Sequence, residues 1–324
     1  MEKINWGIIG CGDVTELKSG PAFNKVPNSS LVAVMRRDAS KAKDYAQRHG
    51  VPHWYDDADK LINDPEVNAI YIATPPSSHE LYSIAAINAG KPVYVEKPMS
   101  LNYSEAINMA AMAADKNIKM VLAHYRREQP FFKKIKELLN ENILGEIRLV
   151  NLLYCKLPFN KEELRINSNA WRVDPSISGG GIFHDLAPHQ LDLMLYFFGE
   201  VEKVNGLATN QANNYAADDV VSGNILFKNG IVFNGAWCFN ADAAADECEI
   251  IGTEGKISFS VFNNRKILLT QKNNTSSFEF IPLQHVQQPM IAKTTAYFLG
   301  RSTNPCTAVE GAEVMRLMEA MVRR

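Results

Sequence analysis

The chain has 324 residues, of which 46% are hydrophobic and 22% are charged. This length suits two domains that each have their own core, and the composition is typical of globular proteins, which excludes disordered and fibrous classes. The 34 Lys and Arg residues nearly balance the 36 Asp and Glu residues, so the charge does not favour a nucleic-acid partner and instead favours a small molecule.

The amino terminus and the cysteines together predict a cytoplasmic protein. The first residues enter an apolar strand without the basic start, long apolar run and cleavage site of a signal peptide, and no stretch reaches membrane-spanning length. The five cysteines are odd in number and scattered, with no C-x-x-C pair. This pattern fits a reducing compartment and gives no argument for a metal site.

The first 123 residues alternate short apolar runs with amphipathic stretches, which predicts repeated β-α-β units, a parallel sheet and a first domain of α/β class. The six predicted strands are Ile4–Ile9, Leu31–Met35, His53–Tyr55, Ala69–Ala73, Val93–Glu96 and Met120–Ala123. The connecting helices are predicted at residues 14–25, 39–49, 57–63, 78–89 and 103–116.

A glycine-rich turn follows the first predicted strand and precedes a helix. Gly10 and Gly12, followed by Asp13 and Val14, stand where side chains would block a pyrophosphate from the free N–H groups of the helix. Thr15 occupies the position of the usual third glycine or alanine, so the dinucleotide fingerprint is incomplete. The alternative is that these are the glycines of an ordinary strand-to-helix turn.

The residues after the second strand bear on the choice between NAD and NADP. Arg36 and Arg37 follow Met35, and an arginine in this place favours a 2′-phosphate. Asp38 offers the alternative, a carboxylate that holds the ribose hydroxyls of NAD, but it is better placed as the N-cap of the next helix. NADP is therefore the predicted cofactor, with NAD as the alternative.

The pattern changes after Tyr125, and residues 124–324 are assigned to a second domain of α+β class. Its open sheet face predicts a homodimer or homotetramer, because a bare face of that size favours aggregation. The predicted elements are a helix at Gln129–Asn142, a strand at Ile147–Leu153, a long polar loop, a helix after Gly179-Gly180-Gly181, a large, mainly antiparallel sheet over residues 201–282, and helices at 288–299 and 308–322.

Lys97 ends the fifth predicted strand, at the edge where open α/β sheets bind ligands. By itself it fits a solvated lysine at a strand end, which is the commoner fate of lysines. Several motifs together, however, resemble the Gfo/Idh/MocA family of oxidoreductases, which includes glucose-fructose oxidoreductase and inositol dehydrogenase. The motifs are the glycine turn, Ala73-Thr74-Pro75-Pro76-Ser77-Ser78-His79, Glu96-Lys97-Pro98, the three-glycine run, Asp185, His189 and Asp192.

The resemblance covers essentially the whole chain and implies a Rossmann dinucleotide-binding domain followed by a substrate-binding and oligomerisation domain. It implies that Lys97, Asp185 and His189 are the catalytic set and that the Lys97–Pro98 bond is cis. The cofactor-binding residues expected are Gly10, Gly12, Asp13, Val14, Arg36, Arg37, Thr74, Pro75, His79, Glu96, Lys97, Trp171 and Arg172. The substrate-binding residues expected are Lys97, Tyr125, Arg126, Arg172, Asp185 and His189.

The chemistry of these side chains fits alcohol oxidation, in which the hydroxyl proton is removed as hydride leaves. Histidine, with an unperturbed pKa of about 6.5, suits a general base, so His189 is the candidate. Lys97 is able to stabilise the developing alkoxide or to take the proton itself. Asp185 would orient the histidine or hold substrate hydroxyls, and Pro188 predicts a helix that begins near Asp185. A structural histidine or a metal-ligand set are the alternatives, although hydride transfer needs no metal.

The sequence thus predicts an NAD(P)-dependent dehydrogenase or reductase that moves a hydride to or from a secondary alcohol of a sugar, inositol or related polyol. Two other classes within the same fold remain open. One is a glycoside hydrolase that retains its NAD through transient oxidation, and the other is a non-catalytic dinucleotide sensor that regulates a protein partner.

Overall fold

The computed structural model describes residues 2–159, 161–165, 167–272 and 274–323. Its contacts divide the chain into two compact units, one of Met1–Gln129 with Leu283–Met315 and the other of Pro130–Pro282 with Arg316–Arg324. This division differs from the predicted boundary at 123/124, because a segment from the carboxyl-terminal part of the chain returns to the first unit.

The first unit contains a six-stranded parallel sheet in the order β3-β2-β1-β4-β5-β6. All six predicted strands are present, and β4 and β5 are fully buried apolar runs, as a sheet covered on both faces requires. β1 is buried except at Asn5. The strands are β1 (Ile4–Ile9), β2 (Ser29–Met35), β3 (His53–Tyr55), β4 (Ala69–Ile72), β5 (Val93–Val95) and β6 (Met120–Leu122). The helices between them are α1 (Asp13–Leu17), α2 (Gly20–Phe23), α3 (Ala39–His49), α4 (Ala58–Ile62), α5 (His79–Asn88) and α6 (Tyr103–Asp115).

The helix predicted at residues 14–25 is two short helices, α1 and α2, so the single-helix prediction was wrong. Pro21 has no N–H to donate within a continuous helix. Gly20 lies so close to Thr15 and Tyr45 that a Cβ atom there would be 2.2 Å from the Thr15 carbonyl oxygen and 2.2 Å from the Tyr45 hydroxyl. The break therefore lets the chain pack closely against α3.

The returning segment is bound to the parallel sheet by hydrogen bonds at its edge. The Leu122 N–H donates to the Cys306 carbonyl at 3.0 Å, and the Asn304 amide donates to the Met120 carbonyl at 2.8 Å. The Phe298 ring packs 5.5 Å from the ring of Trp6, a fully buried core residue of β1. The helices of this segment are α12 (Gln288–Phe298) and the first part of α13 (Ala308–Val322).

The second unit contains an eight-stranded sheet in the order β14-β13-β12-β11-β7-β10-β9-β8. Among the described residues of this sheet, only the β7–β10 pair is parallel, so the predicted large, mainly antiparallel sheet is confirmed. The strands are β7 (Ile147–Cys155), β8 (Val201–Thr209), β9 (Val220–Phe227), β10 (Val232–Cys238), β11 (Ala245–Gly252), β12 (Lys256–Phe259), β13 (Lys266–Gln271) and β14 (Asn274–Glu279). The helices are α7 (Pro130–Asn140), α8 (Lys161–Arg165), α9 (Asn167–Val173), α10 (Pro175–Ser178) and α11 (Gly181–Phe198).

Two predictions in this unit were wrong. The long polar loop contains three short helices, α8 to α10, which were too short for periodicity to reveal. Helix α11 begins at Gly181 and carries Pro188 in its interior, whereas Pro188 predicted a start near Asp185. Buried apolar side chains line α11 from its first turn to its last, and this packing outweighs the hydrogen bond that proline cannot make.

In the described part of the chain, no helix combines the length and the apolar character needed to cross a membrane.

Candidate active site

The glycine turn after β1 is shaped by its neighbours on the sheet. Gly10 has φ of +93°, and a Cβ atom there would approach the Thr74 nitrogen to 2.8 Å and the Ala73 carbonyl carbon to 2.9 Å. Both Gly10 and Cys11 donate their N–H groups to the Met35 carbonyl, at 2.9 and 3.2 Å. The turn therefore needs glycine at position 10 for its conformation and its packing.

Gly12 differs, because its backbone is extended and a Cβ atom there would have only the Gly10 oxygen within 4 Å, at 3.9 Å. The fold itself does not require a glycine at this position. Thr15 fills the place of the third glycine, where its hydroxyl donates to the Gly12 carbonyl at 2.8 Å and its carbonyl accepts from the buried Tyr45 hydroxyl at 2.9 Å. The absence of a side chain at position 12 leaves the space that a pyrophosphate would need.

Of the residues after β2, Arg36 contacts the glycine turn and Asp38 caps the next helix. Arg36 is half-buried and donates from Nη1 to the Cys11 carbonyl at 3.4 Å, which places its guanidinium beside the glycine turn. Arg37 is exposed. Asp38 caps α3 by accepting from the N–H groups of Ser40 and Lys41, and the bond from the Ser40 hydroxyl is the main cause that lowers the pKa of Asp38. The predicted N-cap role of Asp38 is what the structure shows.

Thr74 and His79 lie at the carboxyl end of β4. The Thr74 hydroxyl is buried and has no hydrogen-bond partner among the described residues. The fully buried ring of His79 faces two carbonyl oxygens, with Nε2 2.7 Å from that of Thr74 and Nδ1 2.9 Å from that of Pro98. Burial lowers the pKa of His79. A neutral imidazole has one N–H, so His79 donates to one of these two carbonyls and packs against the other, and its contact with a cofactor stays a prediction.

Glu96 and Lys97 follow β5, and the Lys97–Pro98 bond is cis, as the resemblance implied. Glu96 is buried, and its Oε1 accepts from the Tyr71 hydroxyl at 2.5 Å and from Gln287 Nε2 at 2.5 Å. Its Oε2 accepts from the Lys97 N–H at 3.2 Å. These bonds hold the carboxylate within the unit, directly beside the main chain of Lys97.

Tyr125 and Arg126 lie in a short 3₁₀ turn after β6. Both are buried, and the Arg126 guanidinium carbon lies 5.6 Å from the centre of the Tyr125 ring. The structure thus places a cation against an aromatic face at this edge. Their contact with a substrate stays a prediction.

In the second unit, the residues near the start of α11 form a separate group. Arg172, on α9, donates from Nε to Asp185 Oδ2 at 3.2 Å, and its guanidinium carbon lies 4.6 Å from the centre of the Trp171 ring. Both partners of this ion pair keep part of their surface exposed, at 30% and 20%. The structure therefore brings Trp171, Arg172 and Asp185 together, as a polar group open to solvent.

His189 lies one turn after Asp185 on α11 and is 5% exposed. Its ring meets Phe262 edge to face, with centroids 5.8 Å apart. His184, directly before Asp185, is buried, and burial lowers its pKa to about 4. Asp192 is buried as well.

The sequence analysis did not identify several residues that position the candidate site residues. Phe262 is held against His189 by a turn whose N–H groups at Val261, Phe262 and Asn263 all donate to the carboxylate of Asp246, at 2.7–3.0 Å. Tyr71 and Gln287 bind Glu96. Neither set carries a motif, and both pair residues that are far apart in the sequence, so no local signal was available.

Several features of the first unit fit a bound dinucleotide. The strand order is that of the Rossmann fold, and β1, β4 and β5 are neighbours whose carboxyl ends carry the glycine turn, Thr74 and Lys97. Gly12 leaves open space, Arg36 lies beside the turn, and the Thr74 hydroxyl lacks a partner within the described residues. The fold and this edge define a dinucleotide-binding α/β protein.

Comparisons with known proteins agree. Residues 4–124 match the model of the oxidoreductase family with an NAD-binding Rossmann fold, and residues 132–258 match the Gfo/Idh/MocA C-terminal domain. Oxidoreductase P35 from Formosa agariphila is 48% identical over 98% of each chain. Trans-1,2-dihydrobenzene-1,2-diol dehydrogenase from Bos taurus is 27% identical over 78% of this chain and 72% of its own.

A levoglucosan dehydrogenase, in its structure with NADH and levoglucosan, superimposes with a TM-score of 0.88 over 98% of this chain and 96% of its own. At 23% identity, this likeness concerns the fold. The chain belongs to the Gfo/Idh/MocA family of oxidoreductases, so the resemblance identified in the sequence is confirmed. It is an NAD-binding enzyme of the dehydrogenase and reductase class.

Proposed function

We propose that this enzyme transfers a hydride between NADP(H) and a secondary alcohol of a sugar, inositol or related polyol. The observation that carries the proposal is the arrangement of β1, β4 and β5, which brings Lys97 to the same sheet edge as the glycine turn and Thr74. Relatives named for a dihydrobenzenediol and for 1,5-anhydro-D-fructose support a small hydroxy or carbonyl compound as substrate.

The bound nicotinamide would supply the hydride acceptor or donor, and the protein would manage the proton. Lys97 would donate to the reacting oxygen and stabilise its developing negative charge. His189 would serve as general base, with Lys97 as the other candidate for this step. Asp185, paired with Arg172, would bind substrate hydroxyls, because both charged side chains stay partly exposed.

Tyr125 and Arg126 would complete the substrate contacts on the first unit, and Trp171 would lie near the cofactor. Thr74, Pro75, Glu96 and the glycine turn, with Asp13 and Val14, would form the cofactor site. The cytoplasmic location expected from the sequence stays a prediction.

Replacement of Lys97 tests the chemical role. We expect Lys97→Ala to lower the rate of hydride transfer about a thousandfold, because a proton donor and an oxyanion partner are lost together. Affinity for the cofactor should stay within roughly tenfold. The measurement is a screen of sugars and polyols by nicotinamide absorbance, combined with a fluorescence titration of the cofactor.

Lys116→Ala, at an exposed lysine on the same unit, is the matched control and should leave both quantities unchanged. Unchanged turnover in Lys97→Ala would contradict the mechanism. Cofactor that stays bound and is not consumed while a glycosidic bond is cleaved would favour the glycoside hydrolase class. Binding without turnover on any compound would favour a sensor.

The preference for NADP rests on Arg36, whose guanidinium lies beside the glycine turn, while Asp38 is engaged in capping α3. We expect NADPH to bind more tightly than NADH, and Arg36→Ala to weaken NADPH by at least about tenfold while changing NADH by less than about threefold. Lys41→Ala, an exposed cation on α3, is the control. Tighter binding of NADH by the unaltered enzyme would overturn the preference.

A further inference from the structure

Glu96 lies at the centre of a buried hydrogen-bond network that reaches the distant Gln287. We propose that Gln287 is a positioning residue of the active site, acting through the Glu96 carboxylate on the main chain of Lys97. This inference rests on the proposed role of Lys97, but its structural part is testable without turnover.

The contacts of Gln287 use both ends of its amide group. Gln287 is fully buried, its Nε2 donates to Glu96 Oε1 at 2.5 Å, and its Oε1 accepts from the Tyr94 hydroxyl at 3.1 Å. The Tyr71 hydroxyl donates to the same Glu96 oxygen at 2.5 Å. An isolated buried carboxylate is costly, so the orientation of Glu96 follows from the donors that satisfy it.

That orientation bears directly on Lys97. Gln287 and Tyr71 both bind Glu96 Oε1, and the other oxygen, Oε2, accepts a hydrogen bond from the Lys97 N–H at 3.2 Å. On the other side of Lys97, the Pro98 carbonyl contacts the ring of His79 at 2.9 Å. The Lys97 N–H is therefore held by Glu96, to whose position Gln287 contributes, and the following residue packs against His79.

The segment around Gln287 also binds the helix that follows the glycine turn. The Gln287 N–H donates to the Lys18 carbonyl at 3.2 Å, and His285 Nδ1 lies 2.7 Å from the Leu17 carbonyl. Leu17 is the last residue of α1. One short segment, residues 285–287, thus contacts both the helix that follows the glycine turn and the Glu96 side chain beside Lys97.

The first test is hydrogen exchange of the Lys97 amide in the cofactor-free enzyme. Gln287→Met keeps the volume but removes the donor and the acceptor, so we expect the Lys97 amide to exchange about fivefold faster or more. Thr294→Val, which also deletes a buried polar atom on α12, should leave this exchange unchanged. Unchanged exchange in folded Gln287→Met would overturn the proposal.

The kinetic counterpart separates positioning from binding. We expect Gln287→Met to lower kcat about tenfold while the Kd for NADPH changes less than about twofold. Equal losses in kcat and in cofactor affinity would contradict a role through Lys97. If the unaltered enzyme turned over no polyol at all, the proposed function would fail while faster exchange in Gln287→Met would still support the link between Gln287 and Lys97.

Gln287→Glu gives a second variant with a pH signature. The new carboxyl group donates to Glu96 only while it is protonated, and its ionised form sets a second negative charge beside Glu96 as pH rises. The ratio of Lys97 amide exchange in Gln287→Glu to that in the unaltered protein should therefore grow with pH, and kcat should fall. A ratio independent of pH would overturn the proposal.

The titratable groups around Glu96 and residue 287 would not produce the same pH dependence of the exchange ratio. Tyr71 and Tyr94 face it from β4 and β5, and burial holds their pKa values well above the ordinary value. His79 faces it from α5, and burial lowers its pKa. Cys306 and Tyr125 lie near Tyr94, and Lys97 is bonded to Glu96 through its N–H. All of them are present in both proteins, so the ratio isolates the new carboxyl group.

Discussion

Gly10 and Gly12 belong to one motif but are glycines for different physical reasons. At Gly10 a Cβ atom would lie within 3 Å of the Ala73 and Thr74 backbone, and φ is positive. At Gly12 the backbone is extended and the surroundings are open. The fold would therefore accept a side chain there, and only a bound ligand would require its absence. The motif predicts the same role for both residues, whereas their surroundings in the structure show that the roles differ.

Replacement of each glycine by alanine should therefore affect a different property, stability at Gly10 and cofactor binding at Gly12. We expect Gly10→Ala to lower the free energy of unfolding by about 1–3 kcal/mol, because it adds strain and a backbone clash. Gly12→Ala should change it by less than about 0.5 kcal/mol but weaken NADPH about tenfold or more. Urea unfolding and fluorescence titration measure the two effects. Equal destabilisation by both variants would show that the fold requires glycine at both positions.

Other single residues show how far prediction from sequence reached. The N-cap role of Asp38 was predictable because capping uses neighbours in the sequence. The role of His79 between the Thr74 and Pro98 carbonyls was not, since it depends on two strands that lie side by side in the sheet. Gln287 is further still from Glu96 along the chain, and no spacing rule connects them.

At the scale of elements, prediction succeeded where one pattern covered the whole element. The strands of the parallel sheet are apolar runs bounded by turn residues, and all six were predicted. Prediction failed at α1 and α2, where close packing of Gly20 on Tyr45 broke a helix, and in α11, where burial kept a helix intact through Pro188. In each case a tertiary contact outweighed a local preference.

At the scale of the whole molecule, the outer face of the eight-stranded sheet supports the predicted homo-oligomer. Four asparagine side chains stand in register across four neighbouring strands, Asn205, Asn224, Asn234 and Asn151. Amide hydrogen bonds join Asn224 to Asn234 and Asn234 to Asn151. Leu207 and Leu153 are exposed in the next row, at 79% and 41%. A second copy of this chain would cover both the polar and the apolar row.

We expect the enzyme to be a dimer or tetramer in solution and Asn234→Arg to shift it to the monomer, because a long charged side chain would be buried in the interface. Ser276→Arg, on an exposed position of the edge strand β14, is the control and should keep the oligomer. Light scattering after size-exclusion chromatography measures the mass. A monomer in the unaltered protein, or an oligomer unaffected by Asn234→Arg, would exclude this face as the interface.

The class of the protein was predictable from the sequence because several motifs together resemble one family. The apolar strands, the glycine turn after β1 and the Glu96-Lys97-Pro98 triplet are visible in the sequence, since each needs only residues adjacent in the chain. The tertiary structure alone decided that Leu283–Met315 returns to the first unit and that Gln287 and Tyr71 bind Glu96. Such contacts join residues from distant parts of the chain, and they form because a buried carboxylate must find donors wherever packing brings them.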